Sequence, residues 1–169
     1  SNRVVYVGSL SKTLAPGLRL GYMVGPKELI DEARALRRLM LRHPPANNER
    51  AVALFLSLGH HDSLVRRLSH AYKERWQVMG EALARHLPES ARMPAFGGTS
   101  YWVKGPADLD ARVLSERAAD RGILIEPGDV FFFSDDPPRN FFRLGFSSIP
   151  VDRIEPGIEI LAGIVHDLA

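Results

Sequence analysis

The sequence predicts an α/β fold, and three patterns support that prediction. Two short runs of β-branched and aromatic residues near the start, Val4–Val7 and Leu20–Val24, are typical of buried strands. Apolar residues then recur at helical spacing from Leu64 to Leu87, which predicts one long helix. Beyond Pro88 shorter strand and helix patterns alternate, so we expect a smaller α+β part at the C-terminal end.

The composition is that of an ordinary globular protein. Of the 169 residues, 45% are hydrophobic and 25% are charged, and the formal net charge is +2. So small a charge does not predict nucleic-acid binding by this chain itself. There is no cysteine for a disulfide or a thiolate site, and the histidines lack metal-ligand spacing, so no metal site is predicted. With neither a transmembrane run nor a signal peptide, we expect a cytoplasmic protein without a membrane partner.

The segment between the two predicted strands combines a lysine with hydroxyl groups and an arginine. Lys12 follows Ser9 and Ser11 closely, and Arg19 comes seven residues later. A lysine amine can attack a carbonyl to form a Schiff base, while hydroxyls and a guanidinium can bind a phosphate. Pyridoxal phosphate (PLP) carries both an aldehyde and a phosphate, so the segment suits that cofactor. The alternative is an exposed lysine on a turn, with Arg19 at a solvated sheet edge.

Three helices are predicted before Pro88. Pro26 suits the first turn of the first helix, and Asn47–Glu49 offer N-cap groups to the second, which Gly59 ends. The third begins at Asp62 or Ser63 and has a length of roughly 40 Å at 1.5 Å per residue, enough to reach from one domain to the next. The predicted ranges of the three helices are 26–41, 50–58 and 62–87.

The C-terminal part opens with a strand that is interrupted by Gly97-Gly98. Paired glycines before a strand indicate a close backbone approach or a tight turn. The helix that follows is expected to end at Gly122, and the chain closes on an amphipathic helix. The predicted ranges are 96–103 (strand), 108–121 (helix), 123–128 (strand and turn), 135–138 (loop), 140–147 (strand) and 152–168 (helix).

Arg143 lies inside an apolar strand pattern and is a second candidate site residue. A guanidinium among apolar side chains is costly unless an anion accompanies it. Its planar fork suits a carboxylate, which can accept two hydrogen bonds from it. The alternatives are an ion pair with Asp129 or Asp152, or exposure of Arg143 on an edge strand.

The segment from Ser9 to Gly21 resembles the Schiff-base lysine segment of fold-type I, PLP-dependent aminotransferases of class I and II. By that resemblance Lys12 carries the Schiff base and is the catalytic residue. Ser9 and Arg19 then bind the cofactor phosphate, with Ser11 as a further candidate for the same role.

Three later segments are similar, in order and spacing, to the small domain of these aminotransferases: Gly97-Gly98, Gly122–Gly128 and Phe142–Ser147. The resemblance implies that Arg143 binds the substrate α-carboxylate and that Gly98 and Thr99 approach the substrate. It also implies a division into residues 1–58, the end of the PLP-binding large domain, and residues 59–169, the long interdomain helix with the small domain. A homodimer and an amino acid or amine ligand are expected.

A finer resemblance is to the aminotransferase-like domain of GntR-type transcriptional regulators of the MocR group. It covers the lysine segment, the Gly59–Tyr72 region and the segment from Pro137 to Pro150. In that group an N-terminal winged helix-turn-helix binds DNA, and the PLP-binding domain senses PLP or an amino compound. This chain shows no helix-turn-helix, so DNA contact is expected only through an N-terminal domain that it lacks. We therefore expect the C-terminal part of a longer protein, which by itself is inactive and holds PLP weakly.

Three functional hypotheses follow from these residues. In the first, the chain is a regulator's effector domain that senses its ligand through a Schiff base on Lys12. In the second, it is part of a working aminotransferase, in which Lys12 also acts as the proton-transfer base. In the third, it is a structural module without a ligand. The residues of the site do not separate the first hypothesis from the second.

Overall fold

The computed structural model describes residues 3–43, 45–90 and 97–168. The chain divides into two compact units, residues 1–68 and 69–169. The division falls inside a long helix, and it lies ten residues beyond the boundary that the sequence resemblance implies.

In its described residues the first unit contains two strands and three complete helices, and it includes the beginning of the long helix. A single turn of 3-10 helix at Pro16–Leu18 lies between the two strands. The elements are β1 (Tyr6–Ser9), α1 (Leu10–Thr13), β2 (Gly21–Val24), α2 (Lys27–Leu41), α3 (Ala46–Ser57) and α4 (His60–His86), the last of which continues into the second unit.

The two strands of the first unit form an antiparallel ribbon in which Tyr6 lies opposite Val24. The prediction that these strands are buried is wrong for this chain: Val7 is 73% exposed and Val24 is 59% exposed. The β-branched pattern predicts a strand correctly, but burial depends on what packs against it. Among the described residues the ribbon has no third strand. Val52 is the only buried residue described before Met79.

The predicted helices α2 and α4 are confirmed to within two residues at each end. The start of α3 was placed too late, because the helix begins at Ala46, directly after Pro45. Asn48 therefore lies in the first turn and does not cap the helix, although Gly59 follows its end as predicted. In the part of the chain that the structure describes, no helix combines the length and the apolar content needed to cross a membrane.

The second unit is built on a three-stranded antiparallel sheet with two helices and the end of α4. The sheet order is β3-β5-β4, so β5 is the central strand. The elements are β3 (Ser100–Lys104), α5 (Ala111–Asp120), β4 (Glu126–Pro127), β5 (Phe141–Gly145) and α6 (Val151–Leu168).

Two predictions for this unit need correction, and a third lies partly outside the described residues. The strand expected over 123–128 is reduced to Glu126–Pro127, and Leu124 before it is 86% exposed. Helix α5 starts at Ala111 and is capped by Asp110, whose side chain accepts a hydrogen bond from the Arg112 backbone; this bond lowers the pKa of the Asp110 carboxyl. Residue 96, the expected first residue of β3, lies outside the described residues.

One face of this sheet forms the hydrophobic core together with α4, α5 and α6. Alternation along the strands sends every second side chain inward, as period-2 patterning requires. The predicted apolar stripe of α6 is confirmed as buried, from Ile154 through to Val165. The largest fully buried side chains of this core are Tyr101, Phe142, Phe146, Leu83, Leu114, Leu161, Ile164 and Val103.

Tyr101 connects the sheet to α4, and its burial and hydrogen bonding lead to a testable prediction. Its side chain is 2% exposed, and its hydroxyl donates a hydrogen bond to the Trp76 carbonyl at 2.7 Å. Burial raises the pKa of Tyr101 to about 12 from the ordinary value of 10.0. Because the folded-state pKa is raised, the unfolded state releases its proton first. The contribution of Tyr101 to the free energy of unfolding is therefore fully present below pH 10 and is lost as the pH rises toward 12.

Tyr101→Phe should therefore lower the free energy of unfolding near neutral pH by about 1 kcal/mol, the value of one hydrogen bond. Between pH 10 and 12 the wild type should lose stability on the order of 1–3 kcal/mol through this group, and the variant should not show that loss. Urea unfolding of both proteins across this pH range measures the two effects. Parallel pH curves for wild type and variant would contradict the assignment.

Candidate cofactor and ligand site

The lysine segment is a closed loop between the paired ends of β1 and β2. Ser9, the last residue of β1, lies opposite Gly21, the first residue of β2. The backbone N–H groups of Leu10 and Ser11 both donate to the Leu20 carbonyl, at 3.0 and 3.3 Å. These bonds bring the two ends of the loop together, so that residues ten positions apart in sequence lie at one end of the ribbon.

The predicted cofactor residues all belong to this loop. Ser9 is the residue before α1, and its hydroxyl makes no capping bond to that helix. Ser11 and Lys12 lie in α1, where Lys12 is exposed and Ser11 is half-buried. Among the described residues, neither Lys12 nor Arg19 has a carboxylate partner within 4.0 Å. The loop therefore presents two cations and hydroxyl groups that are free to take an anionic ligand.

Arg19 has a left-handed backbone conformation, with φ 51° and ψ 37°. This region is uncommon for residues other than glycine, asparagine and aspartate. The Asn48 side chain donates to the carbonyl of the preceding residue, Leu18, at 3.1 Å and so ties the loop to α3. A strained arginine at a loop end indicates a role for its side chain, because glycine would fit this backbone more easily.

Arg19→Gly should separate stability from cofactor binding. Glycine relieves the left-handed strain but adds freedom to the unfolded chain, so the free energy of unfolding should change by less than about 1 kcal/mol. PLP affinity should fall by about 1.5–3 kcal/mol, because a charged hydrogen bond to the phosphate is lost. Thermal unfolding without cofactor and PLP titration of the full-length protein measure the two effects. Unchanged PLP affinity would show that Arg19 does not bind the cofactor.

Gly98 and Thr99, the predicted substrate-approach residues, lie directly before β3. Gly97 and Gly98 have φ values of 151° and 71°, and a Cβ on either would meet nothing within 4 Å. The positive φ values therefore indicate a turn geometry that favours glycine, and none of the described residues packs closely against the pair. The Thr99 carbonyl accepts a hydrogen bond from the Phe146 N–H at 3.0 Å, which places Thr99 beside the end of β5.

Arg143 lies on the central strand β5 and projects from the outer face of the sheet. Its side chain is 45% exposed and forms an ion pair with Glu126, which lies directly opposite it on β4. The alternatives Asp129 and Asp152 were both wrong. Asp129 lies beyond the Pro127-Gly128 turn and pairs with Arg112 on α5 at 2.6 Å. No ion pair is described for Asp152, and Arg143 is not on an edge strand.

Aromatic side chains surround Arg143 on this outer face. The guanidinium carbon lies 5.6 Å from the centre of the Phe131 ring, a cation–π distance. Trp102, opposite Arg143 on β3, meets Phe131 edge-on at 5.5 Å between ring centres and stacks on Phe141 at 5.7 Å. Glu126 on one side and aromatic rings on the other therefore constrain the Arg143 side chain.

Sequence reasoning missed these neighbours of Arg143. The alternation of β3 could have placed Trp102 on the outer face, because Tyr101 and Val103 on either side of it are apolar and buried. Glu126 could be recognised only once the strand register was known. Phe131 belongs to a 3-10 turn at Asp129–Phe131, which no periodicity predicts.

The Arg143–Glu126 pair also lines a cavity of about 770 Å³ within the second unit. Two further arginines, Arg121 and Arg153, line the same cavity, and no carboxylate within 4.0 Å is described for either. Its apolar wall includes Ile123, Ile125, Ile149 and Ile160. With three guanidinium groups and one carboxylate, the cavity suits an anionic ligand with an apolar part.

Comparison with known proteins relates the chain to both enzymes and regulators. The HTH-type transcriptional regulator TauR of Rhodobacter capsulatus is 48% identical over 160 residues, which are 95% of this chain and 33% of the regulator. The 2-aminoadipate transaminase of Thermus thermophilus is 31% identical over 166 residues, which are 98% of the chain and 41% of the enzyme. The chain thus spans about one third of the length of TauR. The identity to TauR confirms the predicted resemblance to such regulators.

Solved aminotransferase structures match nearly the whole chain. The multiple substrate aminotransferase of Thermococcus profundus gives a TM-score of 0.87 at 28% identity, over 99% of this chain and 41% of the enzyme. A second structure is LysN, the α-aminoadipate aminotransferase of Thermus thermophilus, complexed with N-(5'-phosphopyridoxyl)-L-leucine. It gives a TM-score of 0.86 at 30% identity, over 98% of this chain and 42% of the enzyme. These matches confirm the predicted fold class. A family model described as aminotransferase class I and II matches residues 1–161, and the chain therefore belongs to that family.

Proposed function

We propose that this chain is the PLP-binding, aminotransferase-like effector domain of a MocR-type transcriptional regulator. The observation that carries the proposal is the 48% identity to the regulator TauR, compared with 27–31% for the aminotransferases of Thermococcus litoralis, Saccharolobus solfataricus and Thermus thermophilus. DNA binding belongs, on this proposal, to an N-terminal domain of the whole protein. We also propose that the whole protein acts as a homodimer.

The lysine loop fits PLP in the chemistry of its donors. Lys12 is an exposed primary amine for the cofactor aldehyde, and Ser9, Ser11 and Arg19 offer hydroxyls and a guanidinium for the phosphate. When bound, PLP supplies an electrophilic carbon and an electron sink for the ligand amine. The protein's part is to hold the phosphate through Arg19 and the serines and to hold the reactive carbon at Lys12 Nζ.

The second unit supplies the ligand contacts on this proposal. Arg143 binds an anionic group of an amino compound, and Gly98 and Thr99 border the ligand beside the neighbouring strand. We assign residues 1–58 to the end of the PLP-binding large domain and residues 59–169 to the interdomain helix with the small domain. Gly98 has no side chain at this border, and its φ of 71° favours glycine there.

The test of this function uses the full-length protein with PLP. Borohydride reduction followed by peptide mapping should place a pyridoxyl group on Lys12 and on none of the other lysines, Lys27, Lys73 and Lys104. Fluorescence anisotropy with DNA from the region upstream of its own gene should show specific binding, which an amino compound then changes. Label on another lysine, or no DNA binding at physiological salt, would refute the proposal.

Aminotransferase catalysis is the second candidate, and the presence of Lys12 and Arg143 favours it. An enzyme requires Lys12 Nζ to move a proton on the ligand's α-carbon, in addition to holding the cofactor. Turnover separates the two functions: an enzyme converts amino acid and keto acid over many cycles, whereas an effector domain binds the amino compound without sustained turnover. Sustained turnover without DNA binding would establish the enzyme.

A further inference from the structure

The ion pair between Arg143 and Glu126 leaves part of each group unused. Nε and Nη2 of Arg143 both contact one oxygen of Glu126, Oε2. Among the described residues, Nη1 of Arg143 and Oε1 of Glu126 have no hydrogen-bond partner. Glu126 therefore occupies the side edge of the guanidinium, which is one of the two edges that can bind a carboxylate with two hydrogen bonds.

We propose that Glu126 is an internal competitor for Arg143 and thereby sets which ligands the site accepts. Its carboxylate occupies the side edge of Arg143, one of the two edges that an anionic ligand group can take, and it offsets the guanidinium charge that would attract such a group. This inference rests on the proposed role of Arg143 in ligand binding. Glu126 acts through Arg143, so it is a positioning and specificity residue and not a catalytic one.

The exposure of the pair makes an exchange of partners feasible. The side chains are 45% and 44% exposed, and exposed ion pairs of this kind contribute little to stability. A ligand carboxylate can bind the guanidinium with two parallel hydrogen bonds to two oxygens, whereas Glu126 uses only one of its oxygens. The Phe131 ring centre lies 5.6 Å from the guanidinium carbon, and this contact does not involve Glu126.

The surrounding cavity provides new partners for the displaced carboxylate. Arg121 and Arg153 line the same cavity as Glu126, and no carboxylate partner is described for either. A displaced Glu126 carboxylate therefore shares its cavity with two further guanidinium groups. The ligand class that we expect is an amino compound whose anionic group is planar and forms two hydrogen bonds, because a single-bond acceptor does not replace both contacts that Glu126 makes with Arg143.

The test compares Glu126→Gln with a matched control, Glu155→Gln. The glutamine oxygen still accepts a hydrogen bond from Arg143 but no longer carries the competing charge. Glu155 pairs with Arg85 in the same unit, with Arg85 58% and Glu155 42% exposed, and it also lies 3.4 Å from His86 Nε2. Its substitution changes the net charge equally. Labelling of the full-length protein with phenylglyoxal, an arginine-selective dicarbonyl, is followed by mass spectrometry at Arg143 and Arg85. Malonate serves as the anionic probe and malonamide as the uncharged one.

In Glu126→Gln, Arg143 should be labelled about twofold to fivefold faster, and the malonate concentration that protects it by half should fall by a similar factor. Glu155→Gln should change Arg85 alone, and malonamide should protect neither arginine. Equal half-protecting concentrations in wild type and Glu126→Gln would overturn the proposal, as would an equal effect of Glu155→Gln on Arg143 or a failure of malonate to protect the Gln variant.

The same preparations separate this inference from the proposed function. The labelling measures the reactivity of Arg143 directly and needs no PLP. The proposed function is tested by pyridoxyl attachment at Lys12 and by DNA binding. Competition by Glu126 without PLP on Lys12 would refute the proposed function alone. Pyridoxyl on Lys12 with no change in Arg143 protection would refute the role of Glu126 alone.

Discussion

Lys12→Ala should abolish pyridoxyl labelling of the full-length protein and weaken PLP retention. Lys12 is exposed in α1, and Ser9, Ser11 and Arg19 belong to the same closed loop. The phosphate-binding groups remain in the variant, so residual binding through them is expected. The loss should be about 2 kcal/mol or more, roughly thirtyfold, since one charged hydrogen bond contributes that much and a covalent link contributes more.

Lys27→Ala is the control for this prediction. Lys27 belongs to the same unit but pairs with Asp31 on α2, so its removal should leave PLP binding unchanged. Absorbance of the dialysed proteins and mass spectrometry after borohydride reduction provide the measurement. If Lys12→Ala still carried a stoichiometric pyridoxyl group, the cofactor lysine would be a different one.

Gly128→Ala should strongly destabilise the second unit and separate Glu126 from Arg143. A Cβ at Gly128 would lie 2.7 Å from both the Phe141 carbonyl oxygen and Trp102 Cη2. The Gly128 N–H also donates to that carbonyl at 2.7 Å, so the backbone cannot move away without losing the bond. We expect the free energy of unfolding to fall by about 2–3 kcal/mol, the usual cost of overpacking.

Gly145→Ala is the matched control, because a Cβ at this position of the neighbouring strand meets nothing within 4 Å. Its effect should stay within about 0.5 kcal/mol, as for ordinary surface substitutions. Urea unfolding of both variants, followed by tryptophan fluorescence, measures the difference. Similar unfolding midpoints for the two variants would show that the contact at Gly128 can relax.

The elements that the sequence predicted well are those with a long, regular pattern. The stripe of α6 from Ile154 to Val165 repeats every three or four residues, and the structure buries it as expected. Strand β4 was predicted too long because Ile123–Ile125 have a typical strand composition, yet only Glu126–Pro127 pair with β5. A three-residue apolar run has too little periodicity to show where pairing stops.

By itself the sequence determined the chemistry of the lysine loop. Ser9, Ser11, Lys12 and Arg19 lie within eleven residues, so their joint presence could be recognised before any fold was known. Only the tertiary structure decided which strand faces are buried and which carboxylate meets Arg143. Glu126 is seventeen residues from Arg143, and only the register of two strands places them opposite each other. Register and burial arise from contacts between distant segments, and these contacts leave no local pattern in the sequence.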